Sequence, residues 1–291
     1  MKRRAFLAGA IAAVLVPQAA ARGRFDRGLL WRVTRKGVAP SHVYGTIHVA
    51  DARLSGLPAP VLEAFGAAKT LMVEFLPDGY SKERFLEAAL FLDGQTLEQK
   101  IGAADFERAF EHLQPIGLSR EFVNKLKPWG VLLNLRNPKG DQGSPLDAQL
   151  LERARERRMP LYQIEGVEEQ IFTFDEFPME SQVALLKHSL AHRDELVQLA
   201  VLTLDAYLAR DLAAIWRLRE AFVRRHPEIA AHQAVMTKRV VHDRSVVMAF
   251  RMQRQLRRGG AFVALGALHL YGDKGVLALL EEDGYAAARV F

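Results

Sequence analysis

The sequence predicts an α+β fold: a small central sheet built from both ends of the chain, wrapped around a large helical insertion. Three observations predict it. Gly45-Thr46-Ile47-His48 and Gly266-Ala267-Leu268-His269 repeat one Gly-x-x-His signature, and each closes a short apolar run near an opposite end of the chain. Two further short apolar runs end on an acid, at Glu74 and Glu165. Between these, most of 81–136 and 167–258 carries helical patterning, with no Pro/Ser-rich linker, low-complexity tract or short-period repeat.

The elements follow in order. Gly28–Arg35 and Ser41–Val49 read as a strand pair joined at Lys36-Gly37, and Pro58 to Ala68 as a helix with proline in its first turn. Thr70 to Leu76 is an apolar strand. Residues 81–136 are largely helical, with Thr96-Leu97-Glu98-Gln99 matching a capping box. Pro145 to Arg158 is a helix carrying Asp147 in its first turn, and Pro160–Ile164 is a short strand running into Glu165. Residues 167–258 are helical with interruptions near Pro178 and Pro227. Strand returns at 261–266, helix at 274–283, and Ala287 to Phe291 forms a last strand.

The first 21 residues stand apart from the fold. Lys2-Arg3-Arg4 is a basic n-region, Ala5 to Val16 an apolar h-region, and Ala19-Ala20-Ala21 a signal-peptidase site with cleavage after Ala21. The apolar run is shorter than the roughly 20 residues a membrane span needs. Arg3-Arg4-Ala5-Phe6-Leu7 also looks like a twin-arginine export motif, and both export routes remain open. The expected organisation is therefore a cleaved signal, 1–21, and one domain, 22–291, exported to the periplasm without a stable membrane span.

Loss of Lys2, Arg3 and Arg4 takes 40 basic residues to 37 against 34 acidic ones, and the net charge from +6 to +3. The remaining charge offers no concentrated basic face, so nucleic acid is not an expected partner. The absence of cysteine excludes a disulfide framework, a thiolate ligand, a Cys nucleophile and a lipoprotein anchor. Any metal must be held by His and carboxylates.

His48, Glu74, Glu165 and His269 each sit at or just past the end of a predicted strand, where ligand sites of such sheets tend to lie. Two convergent imidazoles suit a metal site or an acid/base pair. A carboxylate ending a hydrophobic strand is costly unless paired or bound to a cation. Glu168 and Glu169 read as helix N-terminal charges. Asp147 reads equally as a helix acid or a site residue. Arg244 lies on a basic helix whose default is a solvated face, although one inward arginine could stabilise an oxyanion. His42, His112, His188, His192, His226, His232 and His242 read as surface or structural residues.

The chain resembles the TraB/GumN family, which includes the animal Tiki proteins. The matching stretches are Val43–Val49, Met72-Val73-Glu74, Leu126-Lys127-Pro128-Trp129, Gly143–Asp147, Gln163–Gln170 and Leu265–Leu270 with Gly272 and Gly275. They span nearly the whole of the chain after the signal. The resemblance implies a site at the two Gly-x-x-His motifs. In Tiki-type members it implies a divalent-metal-dependent peptidase favouring Mn²⁺ or Co²⁺, with Zn²⁺ or Fe²⁺ open. Carried over, His48, His269, Glu74 and Glu165 are metal-site residues, and Glu74, Glu165 and Arg244 candidate catalytic ones. Asp147, Gln170 and Arg244 match flanking polar positions. Arg244-Ser245 stands where many relatives have Arg-Asn, and Gly166 where Thr is common. Expected partners are a peptide or small-molecule substrate, with a homodimer open.

Two other readings follow from wider relatives. Erythromycin-esterase-like proteins suggest a metal-free hydrolase in which His activates water. Haem-binding relatives suggest a non-catalytic protein carrying haem or a metal.

Overall fold

The computed structural model describes residues 23–49, 51–135 and 144–291. The predicted signal and its cleavage after Ala21 lie outside the described residues, as does Gly143.

The α+β expectation holds. A six-stranded mixed sheet runs in the order β4-β3-β5-β2-β1-β6, with β1 at Leu30–Thr34, β2 at Ser41–Thr46, β3 at Thr70–Val73, β4 at Leu161–Gln163, β5 at Ala261–Gly266 and β6 at Ala286–Arg289. Strand β5 pairs in parallel with both β2 and β3, and β3 in parallel with β4. Strand β1 runs antiparallel to β2 and to β6. The centre is thus made from the two chain ends, β2 against β5. Residues 261–265 of β5 are all apolar and buried, as expected for a strand covered on both faces. Gly37 takes a positive φ of 77° in the β1–β2 turn, a conformation glycine adopts without a Cβ clash.

Several strands are shorter than the sequence suggests. Strand β3 ends at Val73 and β2 at Thr46, so Glu74 and His48 lie beyond their strands. The last strand is displaced to Ala286–Arg289, because its register is fixed by antiparallel pairing with Trp31 to Thr34.

Helix Ala59–Ala67, entered at Pro58, links β2 to β3. One helical block fills the interval between β3 and β4, and another that between β4 and β5. The second is cut at Pro178 and Pro227, as the sequence indicates. It ends in a continuous run in which the wide π-helical turns of Lys238–Asp243 join Ala230–Thr237 to Arg244–Leu256. One apolar cluster surrounds the sheet (Leu30, Tyr44, Leu71, Phe262, Met248), and a second lies among the helices (Phe106, Leu113, Trp129, Leu186). Each such buried side chain contributes roughly 1.5–3 kcal/mol. Among the described residues no helix is long and apolar enough to cross a membrane.

Candidate active site

Strands β2, β5, β3 and β4 point the same way, so their carboxyl ends share one edge of the sheet. Register then decides who meets whom. Thr46 pairs with Gly266, which brings the two Gly-x-x-His turns side by side. The β3–β4 ladder continues past its last strand pair: Ile164 N–H donates to Val73 O at 2.9 Å and Glu165 N–H to Glu74 O at 2.9 Å. Glu74 and Glu165 are therefore neighbours by backbone pairing.

Both carboxylates are buried, at 8% and 4% exposure. Arg244 stands between them. Its Nε donates to both oxygens of Glu165 at 3.0 Å, and its Nη2 to Glu165 Oε2 at 2.6 Å and Glu74 Oε2 at 2.7 Å. Nη1 donates to Val240 O at 3.3 Å, a carbonyl of the π-helical turns, which are a common device at functional sites. Farther along the same helix, Arg251 donates to Ile164 O at 2.9 Å and ties the end of β4 to it. Burial alone disfavours the Arg244 cation, but the two carboxylates more than offset this and raise its pKa.

Burial also opposes charge on Glu74. The nearby His269, Arg244 and His48 and the Gly266 N–H outweigh it and hold the carboxyl at about 2. Burial pushes His269 down to about 4, against the attraction of Glu74. His269 is thus neutral at pH 7, where Arg244, aided by His48, supplies the positive charge that keeps Glu74 ionised.

Hydrogen bonds from the neighbouring helix orient the His269 ring. Ser245 Oγ lies 2.7 Å from Val241 O and 2.9 Å from His269 Nδ1, and when its one proton goes to Val241 it accepts from Nδ1. In that arrangement Nδ1 carries the proton and the Nε2 lone pair faces Glu74 Oε1 at 3.9 Å.

His48 is presented in the same way. Its Nδ1 lies 3.0 Å from Asp147 Oδ2, within ion-pair reach though off the line of a good hydrogen bond. Thr46 Oγ donates to Asp147 Oδ1 at 2.9 Å. Partial burial disfavours the imidazolium, but Asp147, aided by Glu74, lifts the His48 pKa to about 9. The His48 side chain is 61% exposed, so it is the solvent-facing member of the site.

The glycines explain the shared signature. A Cβ on Gly266 would sit 3.2 Å from Glu74 Oε1, 3.5 Å from His48 Nε2 and 3.6 Å from His269 Cδ2. The space over Gly266 is therefore ringed by both histidines and Glu74. A Cβ on Gly45 would come within 2.7 Å of Leu270 Cδ1 and 3.2 Å of Ala267 Cα, so Gly45 permits the close approach of the two turns. Tyr207 from helix Arg193–Leu208 donates to Gly45 O at 2.7 Å and fixes that turn from behind.

The structure brings together His48, Glu74, Glu165, Arg244, His269 and Asp147. Gln170 is not among them and lines a groove with Phe75 and Trp129. Glu168 and Glu169 pair with Arg84 and Arg251, in keeping with their reading as helix-start charges. Ser245, Thr46 and Tyr207 escape the sequence reading. Their partners are distant in the chain, and only the place of Ser245 beside Arg244 hints at it.

The sequence reading also treats His188, His192 and His226 separately, whereas the fold gathers them. With Glu228 they bring one ligand atom each to within 4.8 Å of one another, a His/Glu group that could hold a metal ion. The i, i+4 spacing of His188 and His192 is the signal that was available.

The fold and site define an α+β protein whose two Gly-x-x-His turns and two carboxylates converge at the carboxyl edge of parallel strands. The chain belongs to the TraB/PrgY/gumN family, whose sequence model matches residues 29–289. It is similar to YbaP of Shigella flexneri and to YbaP of Escherichia coli strain K12, both described as uncharacterized. Each is 24% identical over 246 residues, covering 83% of this chain and 88% of the relative. No solved structure matches the chain.

Proposed function

We propose that the protein is an exported metal-dependent hydrolase, acting on peptides from a mature domain of residues 22–291. The space over Gly266, ringed by His48 Nε2, His269 and Glu74 Oε1, carries this reading. The donor set fits a divalent ion. It consists of imidazole nitrogens and a carboxylate oxygen without thiolates, which suits Mn²⁺, Co²⁺, Zn²⁺ or Fe²⁺. Both rings are oriented from behind, His269 by Ser245 and His48 by Asp147, as metal-bound histidines usually are. The unbridged approach of the His269 Nε2 lone pair to Glu74 is itself a place for a cation.

His48, His269 and Glu74 would hold the ion. Glu165, expected with them as a ligand, is engaged by Arg244 and takes the other expected role, that of the carboxylate moving a proton between water and leaving amine. A divalent ion held there supplies a Lewis acid and lowers the pKa of adjacent water. Arg244 fixes Glu165 and keeps Glu74 anionic. An apolar groove of roughly 630 Å³, lined by Phe75, Phe85, Leu118, Phe122 and Trp129, begins at the residue after Glu74 and suits a peptide with apolar side chains.

The metal-free reading is weaker on proton affinity. His269, at about 4, is a poor base yet an available lone-pair donor for an ion, whereas His48, at about 9, must lose its proton in either reading.

Elemental analysis of the purified protein, with His48→Ala and His269→Ala beside it, tests the proposal. The expected result is one equivalent of Mn, Fe, Co or Zn lost in both variants together with peptide turnover. Unchanged metal content in both variants would refute the metal site, and a visible band on adding haem without turnover would favour the carrier reading.

A further inference from the structure

Far from the sheet edge, three histidines meet where helices turn. His188 lies on helix Met179–Ala191, His192 at its junction with Arg193–Leu208, and His226 just past helix Leu212–Arg225. Their ring centroids are 4.3 Å (188–192), 4.4 Å (192–226) and 4.6 Å (188–226) apart. Three neutral imidazoles gain little from such crowding, and three charged ones repel. A shared cation removes the conflict.

The chemistry of each ring agrees. His188 is 6% exposed in its side chain, and its Nε2, 3.2 Å from Glu228 Oε1, is a buried atom without a good hydrogen bond. Burial, together with the facing His192 and His226, lowers the His188 pKa. Glu195 takes one nitrogen from each of the other rings, His226 Nε2 at 3.0 Å and His192 Nδ1 at 3.3 Å. This leaves His226 Nδ1, 3.5 Å from Glu228 Oε1, and His192 Nε2 as donors. A carboxylate behind the imidazole is the usual outer support of a metal-bound histidine. The positive Arg108 and Lys187 at the rim of the adjoining pocket are both drawn to Asp105, at 2.9 and 3.3 Å.

We propose that His188, His192, His226 and Glu228 form a second, structural site for a zinc-like divalent ion, clasping the junction of two helices to the end of a third. Four protein ligands of imidazole and carboxylate type make a closed site, which is the hallmark of structural zinc, and the absence of thiolates leaves Zn²⁺ or Co²⁺ as suitable probes. Ligand atoms up to 4.8 Å apart must draw in by about 1 Å to reach Zn–N bonds of about 2.0–2.1 Å, within the range of small side-chain rotations.

The test uses the full chain stripped with chelator and dialysed against Zn²⁺ or Co²⁺. Wild type is compared with His192→Gln, Glu228→Gln and the double variant, and separately with a His48→Ala/His269→Ala protein. His192 and Glu228 are the more exposed ligands, and circular dichroism checks that the variants fold. The expected result is that the cluster variants bind one equivalent fewer than wild type. At least a tenfold loss of affinity should accompany this, with loss of the visible Co²⁺ band of a tetrahedral site and of the Zn²⁺-induced rise in Tm. Loss of that equivalent while the His48/His269 variant keeps it supports the second site whether or not the first binds metal. Folded cluster variants with wild-type stoichiometry and an unchanged Co²⁺ spectrum overturn the proposal.

Discussion

Replacing Arg244 with methionine isolates the electrostatics of the site. The change keeps a long side chain but removes four contacts to two carboxylates, whose side chains are 10% (Glu74) and 5% (Glu165) exposed. Removing one partner of a buried ion pair costs about 3–5 kcal/mol, because the remaining charge is left without compensation. At about 2–4 °C per kcal/mol for a chain approaching this size, the Tm of the chelator-treated protein should fall by roughly 6–20 °C. The loss has a pH signature. In wild type the folded-state pKa of Glu74 is about 2, below the ordinary carboxylate value, so its contribution is complete above about pH 4.5 and fades as the pH falls toward 2. Without Arg244 the buried Glu74 carboxyl titrates at higher pH, so the gap between variant and wild type should be widest near pH 7 and close toward pH 3. Urea denaturation at pH 7, 5 and 3.5 reads both effects. A lysine at 244 should recover only part of the loss, since one ammonium cannot reproduce the guanidinium fork. A methionine variant within about 1 kcal/mol of wild type at pH 7, or a gap that does not change with pH, would refute the assignment of Arg244 as the standing countercharge.

Three other substitutions probe single links. Gly266 has φ −54° and ψ 132°, so Gly266→Ala adds no backbone strain; it should change stability by about 1 kcal/mol or less yet abolish metal binding at the His48/His269 site, read by calorimetry with Mn²⁺. Asp147→Asn removes the charge that lifts the His48 pKa to about 9, so by NMR the imidazole should titrate near its ordinary value of about 6.5. Because a raised His pKa stabilises below the unfolded value and fades as the pH rises through the folded one, the cost of Asp147→Asn should appear at pH 6 and vanish by about pH 10; titration still near 9 would rule out Asp147 as the cause. Tyr207→Phe leaves the buried Gly45 carbonyl without its 2.7 Å donor and should cost about 1–3 kcal/mol in thermal or urea melts; an unchanged Tm would mean that water or another donor replaces it.

What could be seen in the sequence was local. Apolar runs ending at Gly45, Glu74, Glu165 and Gly266 marked the strands and the edge on which their polar residues would gather, because strand burial and turn chemistry are written over a few residues. Arg244 was obscured by its neighbours: Lys238, Arg239, Arg251 and Arg254 make its helix look like a solvated face. Only its bonds to Glu74 and Glu165, together with the π-helical turns before it, single it out. Asp147 fitted two roles because it fills both, first-turn helix acid and partner of His48. Ser245 acts on a ring 24 residues away and Tyr207 on a carbonyl 162 away. The i, i+4 spacing of His188 and His192 could have marked them as a pair, but His226 and Glu228 reach them only through the fold between helices.

The pairing of β2 with β5 also imposes an order on biogenesis. Ser41 and Ala261, hydrogen-bonded across these strands, are 220 residues apart. At about 5–20 residues per second, a ribosome needs roughly 10–45 s to make the second after the first. Until then the amino-terminal Gly-x-x-His turn has no counterpart, and the surfaces β5 will cover stay open. An incomplete chain lacking β5 would carry His48, Glu74 and Glu165 but no cleft to join them. Any activity residing in that cleft is therefore withheld until synthesis is nearly finished, and a nascent or prematurely terminated product is chemically silent by construction.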